Sequence, residues 1–589
     1  MICVCPSRRA IAGTILVLLA TGATLLIFHR VVLPLFGFII PALVPSLYDL
    51  AVYGAYPSRS YVTFNGESPD VNVVAWDESC DHGYVLVSPF GDAVPNMGPM
   101  ILDSRGDLVW TASGNGVVMN LKVQQYQGEN YLTFWAGHKV GGIGMGSYHM
   151  LNSSYDLVHV VKAASSEHAP RTGDLHDFVI TDRGTALLTV YNITQFDISA
   201  MGRPKDGWIV DSLFQEVDIA TGELLFEWRA SDHFDPAESL YINPFGGYKA
   251  ANPYDFFHIN SIQKDAAGNY LISSRHYHSL TYLDPLGEIL WTLGGDYNDF
   301  HDLSDGKATS FKWQHDARWV DEEQGILSLF DNGSAGPIMN DADHSLGLII
   351  QIDPEARTAR LLHSYTSSGK ALSASQGSLQ ILPDDKVLVG WGSSAAYSEF
   401  TTDGKLLCET HITPSILFWW ERVKTYRAIK TFDWVGRPES PPSAKWLGGK
   451  IYVSWNGATE VGAWQLVARK NGAPNSEWQT VDIKDKSGFE DSFTLTGIEE
   501  FQHYRVAALD HNGGFLMHSA IVEVGAEAHS SRWVLALFMV CVVVGLLIGT
   551  LMFARRTAQQ SYRPNWLDLK TLMRNRYHRY KKVSSMEMT

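Results

Sequence analysis

The sequence predicts an all-β protein: a six-bladed β-propeller, then a fibronectin III/immunoglobulin-like β-sandwich, with transmembrane helices at both ends. Three observations predict it. A hairpin unit recurs six times between Met100 and Leu407. A block of short alternating strands follows from Ile451. Long uncharged apolar runs lie near each terminus.

The hairpin unit is an apolar pair, an acidic or amide residue, a short turn often holding glycine, and an apolar strand. Copies start at Met100, His149, Glu216, Thr281, Ile350 and Ser398; Thr281-Tyr-Leu-Asp-Pro-Leu-Gly-Glu-Ile-Leu-Trp291 is representative. Asp–Gly turns suit hairpins because the acidic side chain bonds the turn backbone and glycine accepts left-handed dihedrals. A second hairpin class lies between the copies, as in Phe178–Val190 and Ile262–Ile272. Two hairpins make a four-stranded blade, and six blades close a ring. The competing reading is a β-sandwich with accidental periodicity.

The predicted organisation is a cytosolic N-terminus (1–9), a signal anchor or transmembrane helix (10–28) and a linker with an apolar patch (29–60). The propeller covers 61–410, a connector 411–445, and the sandwich 446–526. A transmembrane helix (533–553) and a basic cytosolic tail (554–589) complete the chain. Trp455 is the expected core aromatic of the sandwich and Tyr504 its tyrosine corner.

Net charge is −17, yet both ends are basic, so the acidity is concentrated in the middle. An acidic domain offers phosphates no counter-charge, which excludes nucleic acid as a partner class. Arg8 and Arg9 precede the first apolar run, and Arg555 and Arg556 follow the last. The positive-inside rule therefore places the middle in the lumen or outside the cell, in a membrane protein of the secretory pathway or cell surface. Sequons at Asn152, Asn192 and Asn332 are candidate glycosylation sites on that side. Cys80 and Cys408 are the two cysteines of the middle region. One long-range disulfide closing the ring is expected in an oxidising compartment, with two separate buried thiols as the alternative.

In a propeller, the residue leading into each blade's first strand points at the central axis. His176, His258 and His315 occupy that position in three blades, and Asn120 and Gln376 or Ser378 fall near it in two others. One histidine at a strand start is more often a hydrogen-bonded structural residue than a catalyst; three at equivalent positions favour a site. Arg275 follows the second strand of the His258 blade.

The set His176-Asp, His258-x-Asn260, Arg275 and Gln314-His315-Asp resembles the active-site pattern of the arylsulfotransferase family, closest to its fungal-type branch. Tyr84-Val-Leu-Val-Ser-Pro-Phe, Gly98-Pro-Met and Trp434-Val-Gly-Arg-Pro438 also resemble that branch. The resemblance spans about Tyr61 to Pro438. It implies a six-bladed propeller and sulfuryl transfer from a phenolic sulfate ester to a phenol, without a nucleotide donor. On that resemblance His315 is the nucleophile forming a transient sulfohistidine, His258, Asn260 and Arg275 hold the sulfuryl oxygens, and His176 exchanges the phenolic proton. The small-molecule partner is an aryl sulfate, and no cofactor or metal is implied. No phosphate-binding glycine loop and no nucleophile elbow occurs. Two rivals stand beside this reading: a non-enzymatic lumenal or cell-surface receptor, and a metal-dependent propeller enzyme using the axial histidines.

Overall fold

The computed structural model describes residues 44–524, apart from 81, 113, 115, 384, 471–473, 475–476 and 496–500, together with residues 22 and 549. Apart from residues 22 and 549, the expected membrane spans at 10–28 and 533–553 lie outside the described residues. Among the described residues, no helix is long and apolar enough to cross a membrane.

The fold is all-β and propeller-like. Among the described residues, six sheets are each built on four antiparallel strands, and five of them are meanders of consecutive strands. The second to sixth begin with strands Val117–Tyr126, Phe178–Ile180, Ile259–Lys264, His315–Asp321 and Ser378–Ile381. The first sheet runs Tyr84–Val87, Met100–Asp103, Leu108–Thr111, and takes its remaining strand from far downstream: Ile429–Thr431 pairs antiparallel with Tyr84–Val87. The six innermost strands touch in cyclic order, and Ile429–Thr431 contacts both the sixth and the second sheet, so the ring closes. Closure is reinforced at the rim, where Asn72–Ala75 adds to Leu406–His411 of the sixth sheet. A disulfide joins Cys80 to Cys408.

Alternation along each strand explains the packing. Successive side chains point to opposite faces, so each sheet feeds two different cores. Val85 and Val87 join Leu388 and Tyr397 between the sixth and first sheets, while Leu86 faces Leu132 and Phe134 between the first and second. Leu188 packs with Trp135 and Tyr148, whereas its neighbour Leu187 packs with Ile262 and Ile272. Leu271 and Trp291 meet Leu327 and Ile350, and Phe330 meets Leu379 and Val389. One apolar layer therefore fills every gap between neighbouring sheets, leaving the axis to polar residues.

The described strands between Ser443 and Glu523 form two further sheets around Ile451, Val453, Trp464, Phe493, Tyr504 and Val506. The central tryptophan is Trp464, not Trp455. Trp464 is fully buried with its Nε1 on Asp491, while Trp455 is partly exposed and bonds the Ser440 carbonyl. Trp455 lies one residue past the end of Lys450–Ser454, whereas Trp464 lies within Val461–Lys470. The buried Tyr504 hydroxyl donates to the Phe501 carbonyl.

Candidate functional site

His176, His258, Arg275 and His315 come from three consecutive sheets and line one cavity of about 120 Å³, together with Met119, Lys139, Gly142, Leu175, Ser375, Gln376 and Tyr426. The backbone is bent to aim these groups. His258 has φ 58° and Gln376 φ 67°; Asn120 and Asp316, at corresponding places in other first strands, have φ 57° and 53°. Register shifts between Met119 and Lys122, Ile259 and Ser261, and His315 and Arg318 mark bulges at the same height. Such left-handed non-glycine residues cost energy and cluster where structure over-determines them, notably at functional sites. Gly377 (φ 111°) completes the turn; a Cβ there would meet the Phe330 ring at 2.3 Å.

Each histidine's Nδ1 is engaged by an acceptor. His176 Nδ1 lies 2.5 Å from Asp174 Oδ1, and His258 Nδ1 lies 2.5 Å from Asp255 Oδ2. Carboxylates only accept, so both Nδ1 atoms carry hydrogen and the Nε2 edge is left for the cavity. His315 Nδ1 sits 2.7 Å from Asn332 Oδ1 and 3.1 Å from the Trp313 carbonyl. Asn332 cannot flip, because its Nδ2 donates to the carbonyls of Ser373 and Gln376, both at 2.9 Å. His315 thus keeps an Nε2 lone pair, which accepts from the Gln376 backbone N–H at 3.2 Å.

Burial, with Arg275 nearby, pulls His315 well below its ordinary value; burial, with His176 and Arg275, does the same to His258. Both rings are neutral at physiological pH. Burial would push the Asp174 carboxyl up, but His176 and the Gly144 and His176 backbone N–H groups outweigh it and lower it. Asp255 is raised by burial. Lys139 is brought down to about 8, first by burial and then by Lys424.

Arg275 is buried. Its Nη2 donates to the Ala374 carbonyl at 2.9 Å and its Nη1 to His276 Nε2 at 3.0 Å, while its Nε has no hydrogen-bond partner among the described residues. Asn260 does not line the cavity. Its Nδ2 donates to the Gln314 carbonyl at 2.7 Å and its Oδ1 is buried without a partner. It belongs to a polar layer around Asp177. There Arg318 Nη2 (2.7 Å), Arg427 Nη1 (3.0 Å) and Lys122 Nζ (3.6 Å) surround one carboxylate, and Asp316 pairs with Arg318 and Arg427. Burial, only partly offset by Asp177, takes the Lys122 ammonium down to about 7.

Asn332, expected to be a glycan acceptor, is fully buried with both Nδ2 hydrogens used, so it is a site residue. Asn152 and Asn192 are partly exposed. Sequence reasoning missed Asp174, Asp255, Asn332, Lys139, Tyr426 and Arg427. The first two had a signal: an acidic residue two or three positions before each histidine. Tyr426 and Arg427 had none, lying in the segment expected to be connector.

Asp255, His258 and His276 place donor atoms within 4.8 Å of one another, the spacing a metal ion needs. Their donors are otherwise committed. His258 Nδ1 is on Asp255, His276 Nδ1 is 2.7 Å from the Asp255 carbonyl, and His276 Nε2 accepts from Arg275. A divalent cation would have to displace these bonds beside a guanidinium, so the set does not fit one. A wider groove of about 750 Å³ along Tyr282, Trp291, Trp319 and Glu355 has no histidine or cysteine in its wall.

Residues 122–412 match the sequence model of the arylsulfotransferase (ASST) family. No curated protein is significantly similar to the chain. Among solved structures, a Bacteroides caccae protein of unknown function is 12% identical with a TM-score of 0.34, over 59% of this chain and 98% of that one. The periplasmic gluconolactonase of Pseudomonas aeruginosa is 10% identical with a TM-score of 0.30, over 76% and 98%. Virginiamycin B lyase of Staphylococcus aureus is 9% identical with a TM-score of 0.23, over 62% and 88%.

Proposed function

Over residues 122–412 this chain belongs to the arylsulfotransferase family, and on that premise we propose that it moves a sulfuryl group from a phenolic sulfate ester to a phenolic acceptor through a sulfohistidine at His315. The observation that carries the reading is the His315–Asn332 pair. It presents a neutral imidazole whose Nε2 lone pair sits in the same cavity as Arg275, His258 and His176.

In the first half-reaction His315 Nε2 gives up the hydrogen bond it accepts from the Gln376 backbone N–H, and the freed lone pair attacks sulfur. The N–S bond forms, the S–O bond to the aryl oxygen breaks, and the phenolate leaves. Positive charge grows on the ring as it does so, and Asn332 Oδ1 opposes Nδ1–H to stabilise it. Arg275 supplies N–H donors to the sulfuryl oxygens; sulfuryl transfer, like phosphoryl transfer, needs mainly positioning and charge stabilisation. His176 carries the proton. As an imidazolium facing Asp174 it protonates the phenolate, and as a neutral ring it then takes the proton of the acceptor phenol, whose oxygen attacks sulfur and frees His315. Asn260 acts from the layer beneath the cavity, so it is a positioning residue rather than a sulfuryl ligand.

The same proposal includes six blades, for which the six cyclically packed sheets are the support, and a sandwich at 443–523. It also includes membrane tethering with the propeller outside the cytosol, for which the Cys80–Cys408 disulfide is the support. Asn152 and Asn192 remain its candidate glycan acceptors. The test is turnover of p-nitrophenyl sulfate with phenol as acceptor, with intact-protein mass to detect a sulfuryl adduct. Acceptor-dependent nitrophenolate release and an adduct, both lost in His315→Ala, are expected. Turnover undiminished in that variant overturns the assignment of the nucleophile.

A further inference from the structure

A second recess of about 420 Å³ opens beside the histidine cavity. Its wall includes Pro337, Leu372, Phe418, Trp419 and Trp420, and it shares Arg275 and Ser375 with the cavity. The cavity is smaller than an ordinary ligand pocket, whereas the recess falls within the usual range of about 300–1,000 Å³. Resting on the transfer reading above, we propose that this recess is the subsite for the aryl body of the substrate. It fits a flat aromatic sulfate ester of two or more fused rings, whose sulfuryl group reaches past Arg275 to His315.

Three features carry the inference. Trp419 and Trp420, the last residues of the helical turn Ser415–Trp420, are 50% and 69% exposed, an unusual placement for two adjacent indoles on a soluble face. Glu421, in the left-handed conformation (φ 47°), ends that turn, and its carboxylate lies 3.3 Å from Lys424 Nζ, which offsets its charge beside an anionic ligand. Phe418, partly buried, packs edge-on against His411 at 5.1 Å and anchors the segment to the sixth sheet.

The junction is chemically suited to an aryl anion. Arg275 is 8% exposed and its Nε is a buried donor without a hydrogen-bond partner among the described residues. An anionic group at the junction satisfies that donor, while planar rings stack on indole faces and on the aliphatic wall of Pro337 and Leu372. A single phenyl ring fills only part of the recess. Fused rings gain contact area without further conformational cost, so the subsite discriminates by ring number.

The test uses the full chain and two probes that cannot be transferred: 2-naphthalenesulfonate, whose C–S bond gives no sulfuryl leaving step, and inorganic sulfate, which needs only the inner cavity. Calorimetry on wild type and Trp419→Ala/Trp420→Ala is expected to show naphthalenesulfonate weakened about tenfold by losing two stacking faces, with sulfate unchanged. The exposure of both indoles keeps this variant folded, and a thermal melt checks it. Naphthalenesulfonate binding within twofold of wild type, equal weakening of both probes, or wild type binding naphthalenesulfonate no tighter than sulfate overturns the subsite. Because neither probe reacts, these outcomes are independent of whether the chain transfers sulfuryl groups, which the His315→Ala turnover assay decides separately.

Discussion

Arg427→Met removes a guanidinium from the centre of the ring while keeping much of the side-chain volume. Arg427 is 5% exposed. Its Nη1 is 3.0 Å from Asp177 and 2.6 Å from Asn120 Oδ1, and its Nε is 3.3 Å from Asp316. Its Nη2 donates to the carbonyls of Asn260 at 3.2 Å and His176 at 3.4 Å. Burial alone would push the Asp177 carboxyl up, but Arg318, Arg427 and Lys122 hold it far below the usual range. Breaking a buried pair by removing one partner costs about 3–5 kcal/mol. Asp177 keeps Arg318 and Lys122, so the lower end, about 3 kcal/mol, is expected. Asp177→Asn in the same chain removes the charge left exposed to the interior, so the double variant should be less destabilised than the sum of the singles by about 1–3 kcal/mol. Urea unfolding of the full chain in detergent, followed by tryptophan fluorescence, measures all four corners of the cycle. A loss below about 1 kcal/mol for Arg427→Met, or strict additivity, would refute the reasoning.

Asn332→Ala leaves the Ser373 and Gln376 carbonyls without their donor and frees His315 Nδ1 from one acceptor; a stability loss of about 2–4 kcal/mol and a fall in kcat are expected, measured by denaturation and turnover. Asn332→Asp restores the acceptor but adds a charge that raises His315, so the acidic limb of its pH–rate profile should move to higher pH; an unmoved limb counts against the Asn332 assignment. Burial pulls His411 down, but Asp49 and Glu409 outweigh it and lift it from 6.5 to about 9. A group raised on folding stabilises fully below its unfolded value and loses that stabilisation as pH climbs through its folded value. Relative to His411→Gln, wild type should therefore lose up to about 3 kcal/mol between pH 6.5 and 9; parallel stability curves would show that the triad contributes nothing.

The hairpins and their order were legible because their causes are local. Period-two alternation and Asp–Gly turns act over a few residues, and the same pattern that makes Leu187 and Leu188 face different cores can be read from the chain. Three histidines stood out because repetition put them at equivalent positions. The core tryptophan was misplaced because Trp455 adjoins one strand and Trp464 lies inside the next, and only the packed sheets decide which one lies between them.

The sequence by itself thus determines the all-β class, the hairpin repeat and the residue types available at the axis. What only the tertiary structure decides is which distant residues complete the site. Arg427 and Tyr426 reach the axis because Ile429–Thr431 returns to pair with Tyr84–Val87, a contact between strands more than three hundred residues apart. Asn332 changes from a surface sequon to the group that orients His315 because its loop is enclosed by Ser373 and Gln376. Local interactions leave their pattern in neighbouring residues; ring closure brings together groups whose separation along the chain carries no such pattern.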